Sequence, residues 1–563
     1  MFHDVSCSNY AEKTQKRITL IRLVMIFLFL SIQGRLVFLG FQPEKQVVHQ
    51  LNIDRNLAAS RPRLLDRNGE ILALDIPMQS LFAEPRKIEH PNEIYKALIT
   101  VLPDLNYDII IKRLSSDVAF AWIQREITPR QQSEVLALGL PGIGFKEESK
   151  RYYPSAAIAS HILGHTNIDN QGIAGIEKHL DDVWLRDFQN SGLLLKKEIE
   201  SVYLSIDLRV QYFVRNALSQ AMEKYNAIGA AGVVLNVQTG EIMALSSLPD
   251  YNPNDAVGSL QKDRLNRIST GTYEMGSTFK TFTTAMALDS GEVNLQSRFD
   301  VSKPLRIGRF TIHDFHGKHR ILSVPEIYIY SSNIGTAKMA HVVGIDQHRQ
   351  FLSKLGLLDR MSSFELPGTA SPNVPRIWKK VHSTTISYGH GLSTTPLQTA
   401  VAAAALVNGG KLIPPTLFPR SQDQADKIAK QVVHPKTSEI MRYLMRLNVL
   451  KGSGKNAEVP GYLVGGKTGT AEKVVRGRYS KDKRFNAFLA TFPVNSPRYI
   501  VLVIIDEPKP EQGKRDATAA SNAAPVVSNI INRSAIFLDI MPDFRVSETA
   551  GFSLDHPIKA SRW

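Results

Sequence analysis

The sequence predicts a large mixed α/β (α+β) domain, preceded by a mixed α+β region and by one membrane-spanning helix at the N-terminus. Three observations lead to this order. The chain has 563 residues, which is too long for a single ordinary core. A long, mostly apolar stretch lies near its start, at 18–41. Beyond residue 200, helical patterns alternate with strand-like apolar runs, which is typical of a sheet covered by helices.

Composition and net charge limit the classes of binding partner that we expect for this chain. Apolar residues make up 43% of the chain, as in ordinary globular proteins, and the net charge is +15. We find no zinc-finger, aromatic-basic or helix-turn-helix signature, so we expect no nucleic acid partner; an anionic membrane surface explains the charge adequately. The only cysteine is Cys7, so no internal disulfide can form. The cysteine-free remainder suits an oxidising compartment.

The N-terminal segment predicts a membrane anchor. Residues 1–17 are polar and include Lys13, Lys16 and Arg17, which places them in the cytoplasm. The stretch 18–41 is about long enough to span a bilayer. The alternative is a cleaved signal peptide. Because no small-x-small cleavage site follows the apolar run, an uncleaved anchor is the favoured interpretation.

Residues 42–200 read as scaffold. Asn68-Gly69 lies between apolar segments and predicts a β-hairpin. Residues 172–177 predict a loop that leads into a helix. Glu177 is by default a solvated helix residue; the alternative is a buried charge that ties parts of this region together.

The region from 201 to 545 contains the elements of the predicted α/β domain. A helix at 204–225 has Ser205 or Asp207 as its cap, and an alanine-rich helix that begins at Thr395-Pro396 is expected to pack against the helix of Ser277. The remaining predictions are strands at 232–237, 241–245, 485–490 and 499–505, a basic loop at 473–484, a helix at 522–532 and a loose tail at 546–563.

Ser277 and Lys280 are the first candidate catalytic pair. Gly276 allows a sharp turn before Ser277, and the apolar pattern that follows predicts a buried helix ending at Gly291. Ser277 would lie near the helix N-terminus, where developing negative charge is favoured. Lys280 lies one turn later and could act as the base of a serine nucleophile. Ser-x-x-Lys alone is a common pattern, and taken by itself it favours a capping serine followed by an exposed lysine.

Two later motifs favour the catalytic interpretation of Ser277 and Lys280 over the structural one. Ser331-Ser332-Asn333 precedes a helical pattern, and Lys467-Thr468-Gly469-Thr470 lies between strand-like runs. Ser-x-x-Lys, Ser-x-Asn and Lys-Thr-Gly in this order form the motif set of the penicillin-recognising serine transferases and β-lactamases. A histidine-rich segment, 313–319, fits no metal motif, and Lys318 and Arg320 would repel a cation. We therefore expect no metal and no organic cofactor.

With these motifs the chain resembles a class B penicillin-binding protein of the division-specific (septal) type. Flanking matches occur at 61–69, 161–164, 172–177, 273–277 and 395–398, and the resemblance extends from the anchor to about residue 540. It implies a penicillin-binding transpeptidase fold, with an antiparallel sheet flanked by helices plus an all-helical subdomain at 201–545. It also implies an elongated dimerisation or pedestal domain at 42–200.

The resemblance implies a peptidoglycan D,D-transpeptidase whose substrates are stem peptides ending in D-Ala-D-Ala and which β-lactams acylate. Ser277 would be the nucleophile and Lys280 its neutral base, with burial and the nearby Lys467 charge lowering the pKa of Lys280. Ser331 would relay protons, and Lys467 would stay charged. Asn333 would bind the substrate amide, while Thr468, Gly469 and Thr470 would bind its carboxylate and backbone. The oxyanion hole would consist of the backbone N–H groups of Ser277 and Thr470.

The resemblance further implies a single-pass inner-membrane protein with a periplasmic catalytic domain. Its implied partners are a polytopic glycosyltransferase and other division proteins. Alternatives remain: an elongation-type transpeptidase, a D,D-carboxypeptidase, or a division scaffold without catalysis. A β-lactamase is disfavoured because no deacylating glutamate is identified; Glu365 lies in a plausible region without a supporting pattern.

Overall fold

Two units make up the chain, one at 1–59 and one at 60–563. The computed structural model describes residues 23, 25–33, 61–191, 200–308, 310–475, 477–513 and 516–544. In the first unit the described residues are helical, and their apolar side chains are exposed. No helix within the described ranges has both the length and the apolar character needed to cross a membrane. Most of the predicted anchor, the cytoplasmic segment 1–17 and the tail 546–563 lie outside the described residues.

The second unit begins with a five-stranded sheet in the order β3-β2-β1-β5, with β4 also paired to β2. Its strands are β1 (Leu64–Leu65), β2 (Ile71–Ala83), β3 (Ala121–Ile127), β4 (Ile143–Tyr152) and β5 (Val202–Tyr203). Its helices are α1 (Pro91–Leu98), α2 (Tyr107–Leu114), α3 (Pro129–Ala137), α4 (Ser160–Leu163) and α5 (Gly175–Ser191). β1 and β2 are antiparallel across Asn68-Gly69, which confirms the predicted hairpin.

Glu177 of α5 is a buried ion-pair residue, so the default reading of this side chain was wrong. Its carboxylate is fully buried and accepts from Arg61 Nε at 2.9 Å and from Arg151 Nε at 2.7 Å. Arg61 also pairs with Asp181, and Arg151 with Asp75. These pairs join the segment preceding β1 to β2, β4 and α5 through charges that are mostly buried.

The second five-stranded sheet is entirely antiparallel and runs in the order β14-β15-β16-β6-β7. Its strands are β6 (Gly229–Asn236), β7 (Ile242–Leu248), β14 (Gly465–Val475), β15 (Arg478–Phe492) and β16 (Tyr499–Asp506). One face is covered by α6 (Leu208–Tyr225) and α15 (Ala523–Ser534). The other face is covered by α7 (Lys280–Asp289), α12 (Pro396–Val407) and α14 (Pro435–Lys451).

The structure confirms most predicted elements of this region. Asp207 caps α6 through its carboxylate, and α12 starts in a capping box made by Thr395 and Gln398. α12 is buried along its whole length and packs against α7, as expected from its alanines. The predicted basic loop at 473–484 was wrong, because β14 and β15 continue through it as a hairpin.

The remaining elements lie between β7 and β14 and form a largely helical region. Its helices are α8 (Val324–Ile329), α9 (Asn333–Val343), α10 (Ile345–Lys354), α11 (Lys380–Ser387) and α13 (Gln422–Ile428). Short strand pairs accompany them: β8 (Arg298–Asp300) with β11 (Ile321–Ser323), β9 (Leu305–Ile307) with β10 (Phe310–Ile312), and β12 (Lys411–Leu412) with β13 (Lys430–Gln431). α9 and α11 pack on each other, and α9 also packs against α7.

Candidate active site

The three sequence motifs meet where β14, the edge strand of the second sheet, crosses the start of α7. A 3₁₀ turn, Gly276–Phe279, leads directly into α7 and carries Ser277. A Cβ atom at Gly469 would lie 2.5 Å from Met275 O, and one at Gly276 would lie 2.9 Å from Thr470 O. Backbone therefore packs on backbone here, and only glycine permits this approach.

Ser277 and Lys280 lie three residues apart on this continuous helical segment, so they share one face of it. Ser277 is half-buried, whereas Lys280 is 1% exposed. The exposed-lysine alternative from the sequence is therefore wrong.

Ser331 connects the two candidate lysines. Its hydroxyl accepts from Lys280 Nζ at 3.0 Å and from Lys467 Nζ at 2.9 Å. The Ser331 carbonyl also accepts from Lys280 Nζ, at 2.5 Å. One hydroxyl thus contacts two amines, which is the geometry a proton relay requires.

Burial changes the proton affinity of both amines. It lowers the pKa of Lys280 to about 7, while the Asp314 carboxylate acts in the opposite direction. Burial, followed by repulsion from Lys280, holds the pKa of Lys467 well below its usual value. Because both amines share one hydroxyl, a single proton on the pair is favoured over two. The sequence leads us to expect that Lys467 is the charged amine of the pair. Given its lowered pKa, Lys467 would be charged only when a substrate carboxylate lies beside it.

Asp314 contacts the site, although the sequence did not indicate it. Its two carboxylate oxygens accept from Ser332 Oγ at 2.7 Å and from Ile334 N at 3.0 Å. We call these two hydrogen bonds of Asp314 the clamp. Ser331, the residue before Ser332, has a left-handed backbone with φ of 55°. A serine in this region is strained and needs surrounding contacts to hold it. Asp314 therefore fixes the loop that points the Ser331 hydroxyl at the two lysines.

We predict that Asp314→Asn shifts the acid limb of the acylation rate to lower pH. The carboxylate raises the pKa of Lys280, so its removal lowers that pKa and keeps the base neutral in more acidic solution. The two other titratable groups near Lys280, Lys467 and the half-buried His390, are not altered by this substitution. One of the two clamp bonds is lost, so the plateau rate falls about three- to tenfold. The rate constant for acylation by penicillin, measured from pH 5 to 9, checks both effects.

Asp300→Asn is the matched control, because Asp300 is an exposed acid on the neighbouring strand β8. Its pH profile should match that of the wild type. An Asp314→Asn profile with an unmoved or raised acid limb would contradict the electrostatic role of Asp314.

The four predicted substrate-binding residues lie beside the Ser331–Lys467 contact: Asn333 follows Ser331 by two residues, and Thr468, Gly469 and Thr470 follow Lys467 on β14. Asn333 is half-buried and donates from Nδ2 to His313 O at 2.9 Å, and its side-chain carbonyl oxygen has no hydrogen bond among the described residues. Thr468 Oγ1 lies 2.6 Å from Ser453 Oγ, and Thr470 Oγ1 accepts from Ala519 N at 3.1 Å. Because Thr470 accepts in that bond, its hydroxyl proton is available for a ligand.

A second wall of the cleft was not predicted from the sequence. Glu274 Oε1 accepts from Gly391 N at 2.7 Å and from the Tyr479 hydroxyl at 3.2 Å. The glycine-rich loop at 389–391 lies against the serine turn, since a Cβ at Gly389 would be 1.9 Å from Gly276 O. Burial and the Lys280 charge lower the pKa of His390, in this loop, to about 4, so its ring is neutral at pH 7.

Glu365 does not belong to this cleft. Its carboxylate accepts from Thr416 Oγ1 at 2.6 Å and from Leu417 N at 3.1 Å, beside the β6–β7 end of the sheet. These bonds explain the residue as a structural anchor.

Comparisons with known proteins agree with this geometry. The family model of the penicillin binding protein transpeptidase domain matches residues 230–532, and that of the penicillin-binding protein dimerisation domain matches 56–186. The chain is 37% identical to the "probable peptidoglycan D,D-transpeptidase FtsI" of Caulobacter vibrioides, over 86% of this chain and 82% of that protein. It is 31% identical to the "peptidoglycan D,D-transpeptidase FtsI" of Escherichia coli, over 87% and 85%.

A solved structure shares the fold. Penicillin-binding protein 3 from Mycobacterium tuberculosis, crystallised with aztreonam, matches with a TM-score of 0.66 at 23% identity, over 86% of this chain and 97% of that one. The fold expected from the motifs is therefore confirmed. On the two family models and these relatives, the chain belongs to the penicillin-binding proteins that join a dimerisation domain to a transpeptidase domain.

Proposed function

We propose that this protein is a serine-type peptidoglycan D,D-transpeptidase that forms an acyl-enzyme on Ser277. The observation that carries the proposal is the Ser331 hydroxyl, which contacts the buried amines of Lys280 and Lys467 beside the turn that carries Ser277. Two relatives that match most of the chain bear the name peptidoglycan D,D-transpeptidase. A scaffold without catalysis would have no need to bury two lysines around one serine, because burying unpaired amines is costly.

The proposed reaction begins at the penultimate D-Ala carbonyl of a stem peptide. Ser277 Oγ attacks this carbon, and neutral Lys280 takes the hydroxyl proton. Backbone N–H groups of Ser277 and Thr470 stabilise the oxyanion. The carbon–nitrogen bond then breaks, and the proton passes through Ser331 to the departing amine of the last D-Ala. An amine from a second stem peptide attacks the acyl-enzyme, forms the cross-link and returns Ser277 to its protonated state.

Binding follows from the charges of the cleft. The terminal carboxylate of the donor peptide pairs with Lys467 and takes hydrogen bonds from the hydroxyls of Thr468 and Thr470. This carboxylate favours the charged form of Lys467, so the proton of the lysine pair settles there and leaves Lys280 neutral. Asn333 holds the amide of the donor, and the edge of β14 accepts the peptide as an added strand. Penicillin imitates the donor and leaves Ser277 blocked.

We also propose the cellular setting. The chain would be anchored in the inner membrane by residues 18–41, with a pedestal at 42–200 and the transpeptidase domain at 201–545 in the periplasm. Its role would be at the division septum, with a polytopic glycosyltransferase and other division proteins as partners. Relatives named FtsI favour division over elongation. A fluorescent fusion should gather at mid-cell; an even distribution along the side wall would favour the elongation role.

The activity is tested with the purified full chain in detergent. Fluorescent penicillin should leave a stable adduct, and mass spectrometry should place it on the peptide that contains Ser277. A stem peptide ending in D-Ala-D-Ala, supplied with an amine acceptor, should then give the cross-linked product. Hydrolysis without cross-linking would favour a carboxypeptidase, and rapid turnover of penicillin a β-lactamase. A folded protein that forms no adduct would favour the scaffold.

A further inference from the structure

The histidine-rich segment 313–319, followed by Arg320, lies against the Ser-x-Asn motif; we call 313–320 the rim segment. Its backbone is held to the Ser-x-Asn motif at two points: His313 O accepts from Asn333 Nδ2 at 2.9 Å, and Asp314 clamps Ser332 and Ile334. The segment therefore keeps a fixed position beside the side chain that would hold the donor amide.

The outward side of this segment is cationic. Its only acid, Asp314, points inward with both oxygens occupied. Arg320 is already paired, with Glu326 at 2.8 Å. Lys318 is exposed, and no carboxylate pairs with it among the residues that the structure describes. Its Nζ lies 4.6 Å from the ring centre of Tyr330, directly before Ser331 in the chain. A cation–π contact thus holds one positive charge above the catalytic loop.

We propose that Lys318 binds a carboxylate of the donor peptide upstream of the D-Ala-D-Ala bond. The proposal rests on the transpeptidase function argued above. A donor whose amide binds Asn333 would lie next to His313, because Asn333 Nδ2 donates to His313 O. The rim segment therefore lies where the upstream residues emerge. An acidic peptide gains an ion pair with Lys318, whereas a peptide amidated at that position does not.

The test compares two stem peptides that differ only in this upstream group, a free carboxylate in one and a carboxamide in the other. The measured quantity is kcat/KM for acylation of the full chain. We expect the wild type to favour the acidic peptide about three- to fivefold at low salt, because exposed ion pairs contribute modestly. The preference should shrink in 1 M salt, where such pairs are screened.

Lys318→Gln should bring the ratio of the two peptides to about one, and Lys318→Arg should keep it. Lys427→Gln is the matched control, because Lys427 is also an exposed lysine. It lies on α13, a helix that contacts the β6–β7 turn near the other edge of the sheet. Its ratio should equal that of the wild type. Penicillin acylation of Ser277 should proceed at the same rate in all three variants, because penicillin has no upstream peptide.

A wild type without preference, or a Lys318→Gln variant that keeps the preference, would overturn the proposal. So would loss of penicillin acylation in Lys318→Gln, since Lys318 would then be supporting the catalytic loop itself. Failure of the wild type to react with either peptide or with penicillin would instead overturn the transpeptidase function on which the proposal rests.

Discussion

Ser277→Ala is expected to abolish labelling by fluorescent penicillin, with a loss of at least about 1000-fold in acylation rate. Without the hydroxyl no acyl bond can form, even though Lys280 and Ser331 remain in contact. The fold should be retained, because the side chain is half-buried and small and no hydrogen bond of the fold depends on it in the described contacts. Gel fluorescence gives the labelling, and circular dichroism at increasing temperature gives the stability.

Ser290→Ala is the matched control for this experiment. Ser290 directly follows α7, the same helix that begins next to Ser277, and its hydroxyl donates to Ala287 O at 2.9 Å. Labelling of this variant should equal that of the wild type. Normal labelling of Ser277→Ala would refute the assignment of the nucleophile.

The largest expected effect on stability comes from Glu177→Gln. The carboxylate is fully buried between Arg61 and Arg151, whose side chains are 5% and 0% exposed. The amide removes the central negative charge and leaves two buried guanidinium groups with less compensation. Breaking a buried ion pair in this way costs about 3–5 kcal/mol. Urea unfolding, followed by intrinsic fluorescence, should show a transition at clearly lower urea concentration.

The control variant is Glu134→Gln, which breaks an exposed pair between Arg130 and Glu134 on α3. Water screens these charges already, so the urea transition should not move measurably. If Glu177→Gln also left the transition in place, Asp75 and Asp181 would be sufficient to neutralise the two arginines. The central role of Glu177 would then be wrong.

The sequence predicted the core strands well because each is a continuous apolar run. The prediction at 499–505 differs from β16 by one residue for this reason. The outer half of the β14–β15 hairpin extends beyond the core and carries basic side chains, so its pattern resembles a loop. Hydrogen bonds between two polar strands cannot be detected from the hydropathy of the sequence. The prediction of a loop at 473–484 was wrong for this reason.

The site was predictable where chemistry requires a residue type at a fixed spacing, as with Ser277 and Lys280. The supporting contacts were not predictable. Asp314 lies 18 positions before Ser332 in the chain. Only the folded structure brings its carboxylate to the Ser332 hydroxyl. Glu274 and Tyr479 are 205 positions apart and meet for the same reason. Long-range pairs of this kind depend on topology, which the local pattern does not contain.

The backbone contacts around Ser277 limit how such an enzyme can escape an inhibitor. Gly389 and Gly469 both face the backbone of the serine turn, and a Cβ atom at either would collide with a carbonyl oxygen. A substitution at these positions would displace the nucleophile and penalise the natural substrate together with the drug. Few substitutions at the centre of the site can therefore reduce inhibitor binding without also reducing activity. Substitutions are better tolerated at exposed positions of the rim segment such as Phe315, whose side chain is 70% exposed.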